Sequence, residues 1–176
     1  MIFHNLQIDV HITDQAPDWL DHIPSVSECE KYLATTVSFL EGSSEESIRS
    51  ACGDTLEQTK KLDLEMTTRI VTKSESQQLN TSFRQRNQPT NVLAFPYSDF
   101  SVYSPLLGDL AICGAIVAKE ANEQDKRFTD HFIHLLIHGT LHLFGFDHIS
   151  PDEAAVMEGI ETELLARHNI ANPYIE

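Results

Sequence analysis

The sequence predicts an α/β (α+β) fold, a small mixed sheet of about four strands packed by about five helices. Three observations carry this. Stretches with apolar residues at every second position interleave along the chain with stretches of helical periodicity bounded by caps and glycine stops. The 176 residues are enough for one hydrophobic core. With 41% hydrophobic and 22% charged residues, the composition is that of an average globular protein, which excludes disorder as a global description. No internal repeat, low-complexity tract or linker divides the chain, so residues 1–176 read as a single domain.

The segment His4–Thr13 alternates apolar and polar side chains (Leu6, Ile8, Val10, Ile12), the period of a half-buried strand. After Pro17 and Pro24, Ser25 and Ser27 are caps for a helix through about Leu40, ended by Gly42. Ser43–Lys61 reads as a helix rich in glutamate, with a weak apolar stripe at Ile48 and Leu56. Leu62–Thr72 alternates again and is a strand. Ser74 opens a polar helix through about Arg84, which RNQP closes. Two short strands follow, Val92–Phe95 and Leu107–Cys113, separated by an irregular loop with Pro96 and Pro105. Gly114–Glu123 is helical, and Thr129 is the expected N-cap of a long helix to about Phe144, stopped by Gly145. Ser150-Pro151-Asp152-Glu153 starts the last helix, with proline in the first turn and acids over the positive end of the dipole; it runs to about Arg167.

The net charge of −15 excludes a broad electrostatic grip on a nucleic-acid duplex. The charge is uneven, however. Between Arg69 and Arg127 seven Lys/Arg face six Asp/Glu, a net of +1, so a local site for an anionic substrate fits the middle of the chain. Cys29, Cys52 and Cys113 form no CxxC and are an odd number, which argues against a disulfide framework and for buried, inert thiols such as Cys113. No apolar run approaches the roughly 20 residues of a spanning helix. The first residues, MIFHNLQIDVHITDQ, lack the basic-then-apolar pattern of a secretory signal, so a cytoplasmic protein without a membrane is expected.

The most informative segment is HFIHLLIHGTLHLFGFDH, residues 131–148. His138 and His142 are four apart on a predicted helix, which places both imidazoles on one face. Gly145 then breaks the helix and lets His148 return to the same point. Three imidazoles with a fourth position open is the donor set of a catalytic metal centre, with metal–nitrogen distances of roughly 2.0–2.1 Å for zinc. One Zn2+ per chain in a surface cleft is expected; three histidines alone leave nickel or another divalent ion open. His134 shares the four-residue register but lies a turn away, and reads as packed or supporting; His131 reads as a helix-start residue. Asp147 either orients a ligand imidazole or lies exposed in the turn. The glutamate that follows the first histidine in HExxH peptidases is replaced by Gly139, which disfavours peptidase chemistry.

The second segment is NTSFRQRNQPTNVLAFPY, residues 80–97. A helix-end arginine followed by a Pro-Thr-Asn turn and a buried strand would set Arg84 at the rim of a cleft, where a guanidinium suits phosphate.

Together these segments resemble the YbeY family, the bacterial endoribonucleases of ribosomal RNA maturation. The likeness covers about half the chain: HGTLHLFGFDH, SFRQRNQPTNVLAFP, LGDLAIC, and the tail DEAAVMEGIETELLA with NPY at 172–174. Two departures stand out, Gly114 where the family strand continues Ile-Cys-Pro, and Gln85-Arg86 where many relatives carry glycine and lysine. The resemblance implies a small α/β fold with zinc on His138, His142 and His148 and an activity that depends on Arg84. It further implies a role in maturation and quality control of small-subunit ribosomal RNA. The expected function is therefore a zinc-dependent endoribonuclease acting on single strands. It hydrolyses phosphodiesters with a metal-activated water, and Arg84 and His138 carry the catalysis. Ribosomal precursor RNA is the expected partner, with the small subunit and assembly proteins beside it. The alternatives are a metallohydrolase of another substrate class, or a non-catalytic ribosome-assembly factor with a structural metal.

Overall fold

The computed structural model describes residues 5–10, 17–59, 64–97 and 106–175. Four strands, β1 (Asn5–Val10), β2 (Glu65–Val71), β3 (Val92–Pro96) and β4 (Leu106–Cys113), form one sheet in the order β1-β2-β4-β3. The first three are parallel, and β3 runs antiparallel to β4 along the edge. Six α-helices accompany them rather than about five: α1 (Val26–Gly42), α2 (Glu46–Thr59), α3 (Lys73–Arg84), α4 (Gly114–Glu123), α5 (Phe128–Leu143) and α6 (Pro151–Arg167). The weak stripe in α2 is enough to form a helix because Ile48, Cys52 and Leu56, at four-residue spacing, are all buried in the common core. The side chains of Leu6, Ile8 and Val10, residues 11–13, Leu62 and Pro105 lie outside the described residues.

The centre of the fold is α5. It lies across β3 and β4 and is flanked by α1, α4 and α6. Ten of its sixteen residues are buried, including Phe132, Ile133, Leu136, Ile137 and Leu141, so apolar contacts surround it on nearly every side. Against it the sheet turns Met66 and Ile70 from β2, Leu110 and Ile112 from β4, and Val92 and Ala94 from β3. Gly139 lies on this packed side, where an added Cβ would sit 2.9 Å from a Leu110 methyl. A catalytic carboxylate at that position would therefore face the sheet.

Local chemistry explains where the elements begin. Ser25 and Ser150 each form a reciprocal capping box with the glutamate three residues on, Glu28 and Glu153. Thr72, not Ser74, caps α3 by accepting from the Glu75 backbone N–H. Thr129 does not cap α5, which begins one residue earlier at Phe128; its hydroxyl donates instead to the His22 carbonyl at 2.9 Å. The first turn of α5 is held by a bidentate pair between Arg127 and Asp130 at 2.7 and 2.8 Å. All three cysteines are free and buried, and burial pushes Cys29 up to about 12 and Cys52 up to about 11, as inert thiols require.

The glycine at 114 also has a cause. The Trp19 ring, stacked on Phe128, fills the place where a side chain at this position would stand; an added Cβ would lie 2.3 Å from the ring. The helix α4 still starts at Gly114 although no side chain caps it. Gly114→Ala is expected to destabilise the protein by roughly 1–3 kcal/mol through overpacking. Combining it with Trp19→Ala should cost less than the sum of the two single changes; additive losses in chemical denaturation would contradict the contact.

Candidate metal centre

Four histidines, His131, His134, His138 and His142, follow one another at spacings of three, four and four along α5, forming a stripe on one side of the helix. The stripe ends where α5 stops. There the Gly145 N–H bonds to the His142 carbonyl and the Phe146 N–H to the Leu141 carbonyl, the two crossed bonds of a Schellman turn. Gly145 has φ +98°, and an added Cβ would lie 2.8 Å from the Ala51 carbonyl oxygen, so both conformation and space demand glycine. Phe146 is buried and anchors the returning chain. The turn brings His148 back beside the helix, with its ring centroid 5.5 Å from that of His138 and 5.1 Å from that of His142. One nitrogen from each of His138, His142 and His148 lies within 4.8 Å of the others.

Hydrogen bonds fix the form of two of these rings. His142 Nδ1 faces the Phe146 carbonyl at 2.8 Å, and a carbonyl can only accept, so the proton is on Nδ1. His138 Nδ1 faces Glu161 Oε1 at 2.9 Å. Burial raises the Glu161 carboxyl, but hydrogen bonds from His134 and His138 overcome it and hold the group at about 2, so it is ionised and accepts. When both rings are neutral their Nε2 atoms carry lone pairs, and these atoms stand 3.1 Å apart. Two lone pairs at that separation repel unless a proton or a metal cation lies between them. Tetrahedral zinc with nitrogens at about 2.05 Å requires a nitrogen–nitrogen edge of roughly 3.3–3.4 Å. The donor set fits a divalent ion. Burial and the neighbouring His138 both lower the His142 pKa, which keeps that ring neutral as a ligand must be.

Glu161 was not legible as a functional residue in the sequence. It belongs to α6, where it shares the buried face with Met157, Ile160, Leu164 and Leu165. An acid on an apolar stripe is the signal that would have marked it. Fully buried, it accepts from His134 Nε2 at 2.6 Å, from His138 Nδ1, and from the Tyr174 hydroxyl at 2.5 Å. His134, His138 and Glu161 also lie within mutual reach, but separations of 2.6 and 2.9 Å are hydrogen bonds, and the carboxylate itself fills the space between the rings.

His131 differs from the expected helix-start residue. It is buried and pairs with Glu120 of α4 at 2.8 Å, and Glu120 also accepts from the Asn91 amide at 3.1 Å. Burial raises Glu120, yet these donors hold it below the usual carboxylate range. Asp147 turns onto the chain: its Oδ1 accepts the His148 backbone N–H at 2.8 Å, which stiffens the loop carrying the third histidine.

Arg84 ends α3, and its Nη2 donates to the Ala94 carbonyl of β3 at 3.1 Å. The ladder to β4 runs through alternate residues, with Asn91 O accepting from Cys113 N and Tyr97 N donating to Leu107 O. Ala94 therefore directs its carbonyl away from β4, along the free edge of the sheet. Among the described residues Arg84 bonds to this edge and to none of the three histidines.

Residues 25–169 match the family model described as Endoribonuclease YbeY. A protein of Pseudoalteromonas translucida with that name is 54% identical over 111 residues, 62% of this chain and 73% of the relative. Its namesake in Colwellia psychrerythraea is 50% identical over 115 residues, 65% and 74% of the two chains. The solution structure of TM1509 from Thermotoga maritima is similar in fold, with a TM-score of 0.51 and 21% identity over 97% of this chain and 99% of that one.

Glu161→Gln keeps the shape but places an N–H donor against a histidine N–H. Because the folded carboxyl lies at about 2 against 4.5 when free, its contribution is present above about pH 4.5 and is lost as the pH falls towards 2. The variant should lose about 3 kcal/mol at pH 7, shrinking towards zero as the pH falls below 4. A deficit independent of pH in urea titrations would argue against an ionised Glu161.

Proposed function

The chain belongs to the Endoribonuclease YbeY family and is thereby a hydrolase that cuts RNA internally; from this premise we propose that it cleaves single-stranded segments of ribosomal precursor RNA during maturation and quality control. In this reading residues 1–176 act as one cytoplasmic domain, alongside the small subunit and assembly proteins. One divalent ion, zinc, is held by His138, His142 and His148. The observation that carries the reading is the pair of Nε2 lone pairs 3.1 Å apart, each fixed by an acceptor on the other ring nitrogen. No helix among the described residues is long and apolar enough to cross a membrane.

Each residue then has a physical task. Glu161 keeps the proton of His138 on Nδ1 and raises the basicity of Nε2, while the Phe146 carbonyl does the same for His142. When bound, a divalent cation supplies Lewis acidity and positive charge at the scissile phosphoryl group. Arg84, tethered to Ala94 through one nitrogen, turns its remaining donors towards non-bridging phosphate oxygens, where negative charge grows in the transition state. The bond to the strand edge restricts the guanidinium before substrate arrives, so less freedom is lost on binding.

The test is metal content together with cleavage of a single-stranded ribosomal RNA fragment. Wild type should carry about one zinc per chain. His142→Ala should lose both metal and cleavage, with its fold intact by circular dichroism. Arg84→Ala should keep the metal and lose roughly 10²–10³ in kcat/KM, and Arg84→Lys should recover little of it. Undiminished cleavage by His142→Ala, or wild type that binds no divalent ion, would overturn the proposal.

A further inference from the structure

The sheet has a second face, turned away from α5. Thr67 and Arg69 of β2 alternate with the residues that pack on α5, and so do Asp109 and Ala111 of β4 and Leu93 and Phe95 of β3. The helix α3 packs on this face through Leu79. Beside it an open cleft of about 620 Å³ is lined by Thr67, Arg69, Phe83, Phe95, Tyr97 and Asp109, among others. Its volume lies within the range of about 300–1,000 Å³ typical of small-ligand sites.

Two aromatic rings in this cleft are left largely uncovered. Phe83 is 62% exposed and Tyr97 48% exposed. Phe95 supports Phe83 edge to face, with centroids 5.0 Å apart at 72°, which leaves the Phe83 ring standing out from the wall. The Tyr97 hydroxyl donates to Asp109 Oδ2 at 3.2 Å, which orients the ring beside a carboxylate of the cleft lining. Arg69, held by Glu75 at 3.2 Å, keeps 45% of its side chain exposed at the margin. Lys73, Arg84 and Arg86 lie on or next to α3. Only Arg69 of these lines the cleft, but in a chain of net charge −15 the near-neutral middle segment that carries them is where a polyanion can approach.

Exposed aromatic faces bordered by arginine are how proteins hold unpaired nucleobases without reading a duplex. The Asp109 carboxylate is an acceptor in the same cleft, the group that an exocyclic amino group of adenine or cytosine requires. Phe83 and Arg84 are consecutive residues at the end of α3, one in the cleft and the other on the free edge of β3. A strand whose phosphate meets Arg84 would therefore carry a neighbouring base to Phe83.

We propose that this cleft is a second site for the substrate strand, one that stacks an unpaired nucleobase on Phe83 and Tyr97 near the phosphodiester held by Arg84. The inference rests on the endoribonuclease reading above for the identity of its ligand. It makes the enzyme selective for single strands, since a base within a duplex cannot offer its face to either ring.

Binding is measured by fluorescence anisotropy with a labelled 12-nucleotide adenine oligoribonucleotide, in chelator to prevent cutting, and compared with the same strand in a duplex. Phe83→Leu and Tyr97→Leu preserve apolar volume but remove a ring; each should weaken single-strand binding roughly tenfold, with duplex binding little changed. Phe83→Trp should retain binding, and its added emission should be quenched by the oligonucleotide. Leucine variants that melt like wild type and bind within twofold of it would overturn the proposal. If wild type cuts RNA while those variants bind normally, the cleft fails and the endoribonuclease stands. If the rings govern binding but no metal-loaded protein cuts, the cleft stands and the cleavage reading fails.

Discussion

The arrangement depends on one buried negative charge. Removing a carboxylate from water costs several kcal/mol, and Glu161 is fully buried between two helices. Donors from three places in the chain offset this: His134 and His138 on α5, and the Tyr174 hydroxyl in the C-terminal tail. Each donor is needed, because a buried ion with a missing partner costs far more than the partner contributes elsewhere. The same bonds decide the tautomer of His138 and join α5 to α6. They also draw the tail over the side of the bundle. Packing and chemistry here share a single set of atoms.

The charge also moderates the centre. Three neutral imidazoles would leave a bound dication uncompensated, whereas Glu161 places one negative charge behind His138 through its Nδ1. The second acid, Glu120, holds His131 further along the stripe and ties it through Asn91 to the start of β3. Four histidines on one helix therefore answer to three different constraints: a buried pair with α4, a buried pair with α6, and two rings turned towards a common point.

Much of this was legible because it is local. The convergence of His138, His142 and His148 follows from a four-residue spacing and a glycine stop, and Gly145 does what its position implies, at φ +98°. Element boundaries set by serine and proline caps emerge within a residue or two of the expected places. Contacts across the chain were not legible. Glu161 lies 23 positions from His138 and Tyr174 lies 40 from His134, and no periodicity connects them. The same holds for Gly114, whose need for glycine is set by Trp19, and for Thr129, whose hydroxyl is taken by a distant carbonyl. The helix start assigned to Thr129 lies within the first turn of α5 instead, which begins at Phe128 after the N-cap Arg127.

The hydrogen bond from Arg84 to Ala94 has a further consequence, for the molecule's behaviour towards its own copies. β3 is an edge strand, and an edge with free carbonyls invites another strand to pair with it. Two side chains occupy that edge, Arg84 at the Ala94 carbonyl and Asn91 at the Val92 N–H. A charged guanidinium seated there makes a second sheet pair poorly, because pairing would strip water from the cation without offering it a counter-charge. The arginine at the end of α3 thus acts as a guard against sheet-to-sheet polymerisation, and on the proposed reading the demands of solubility and of catalysis would fall on one residue.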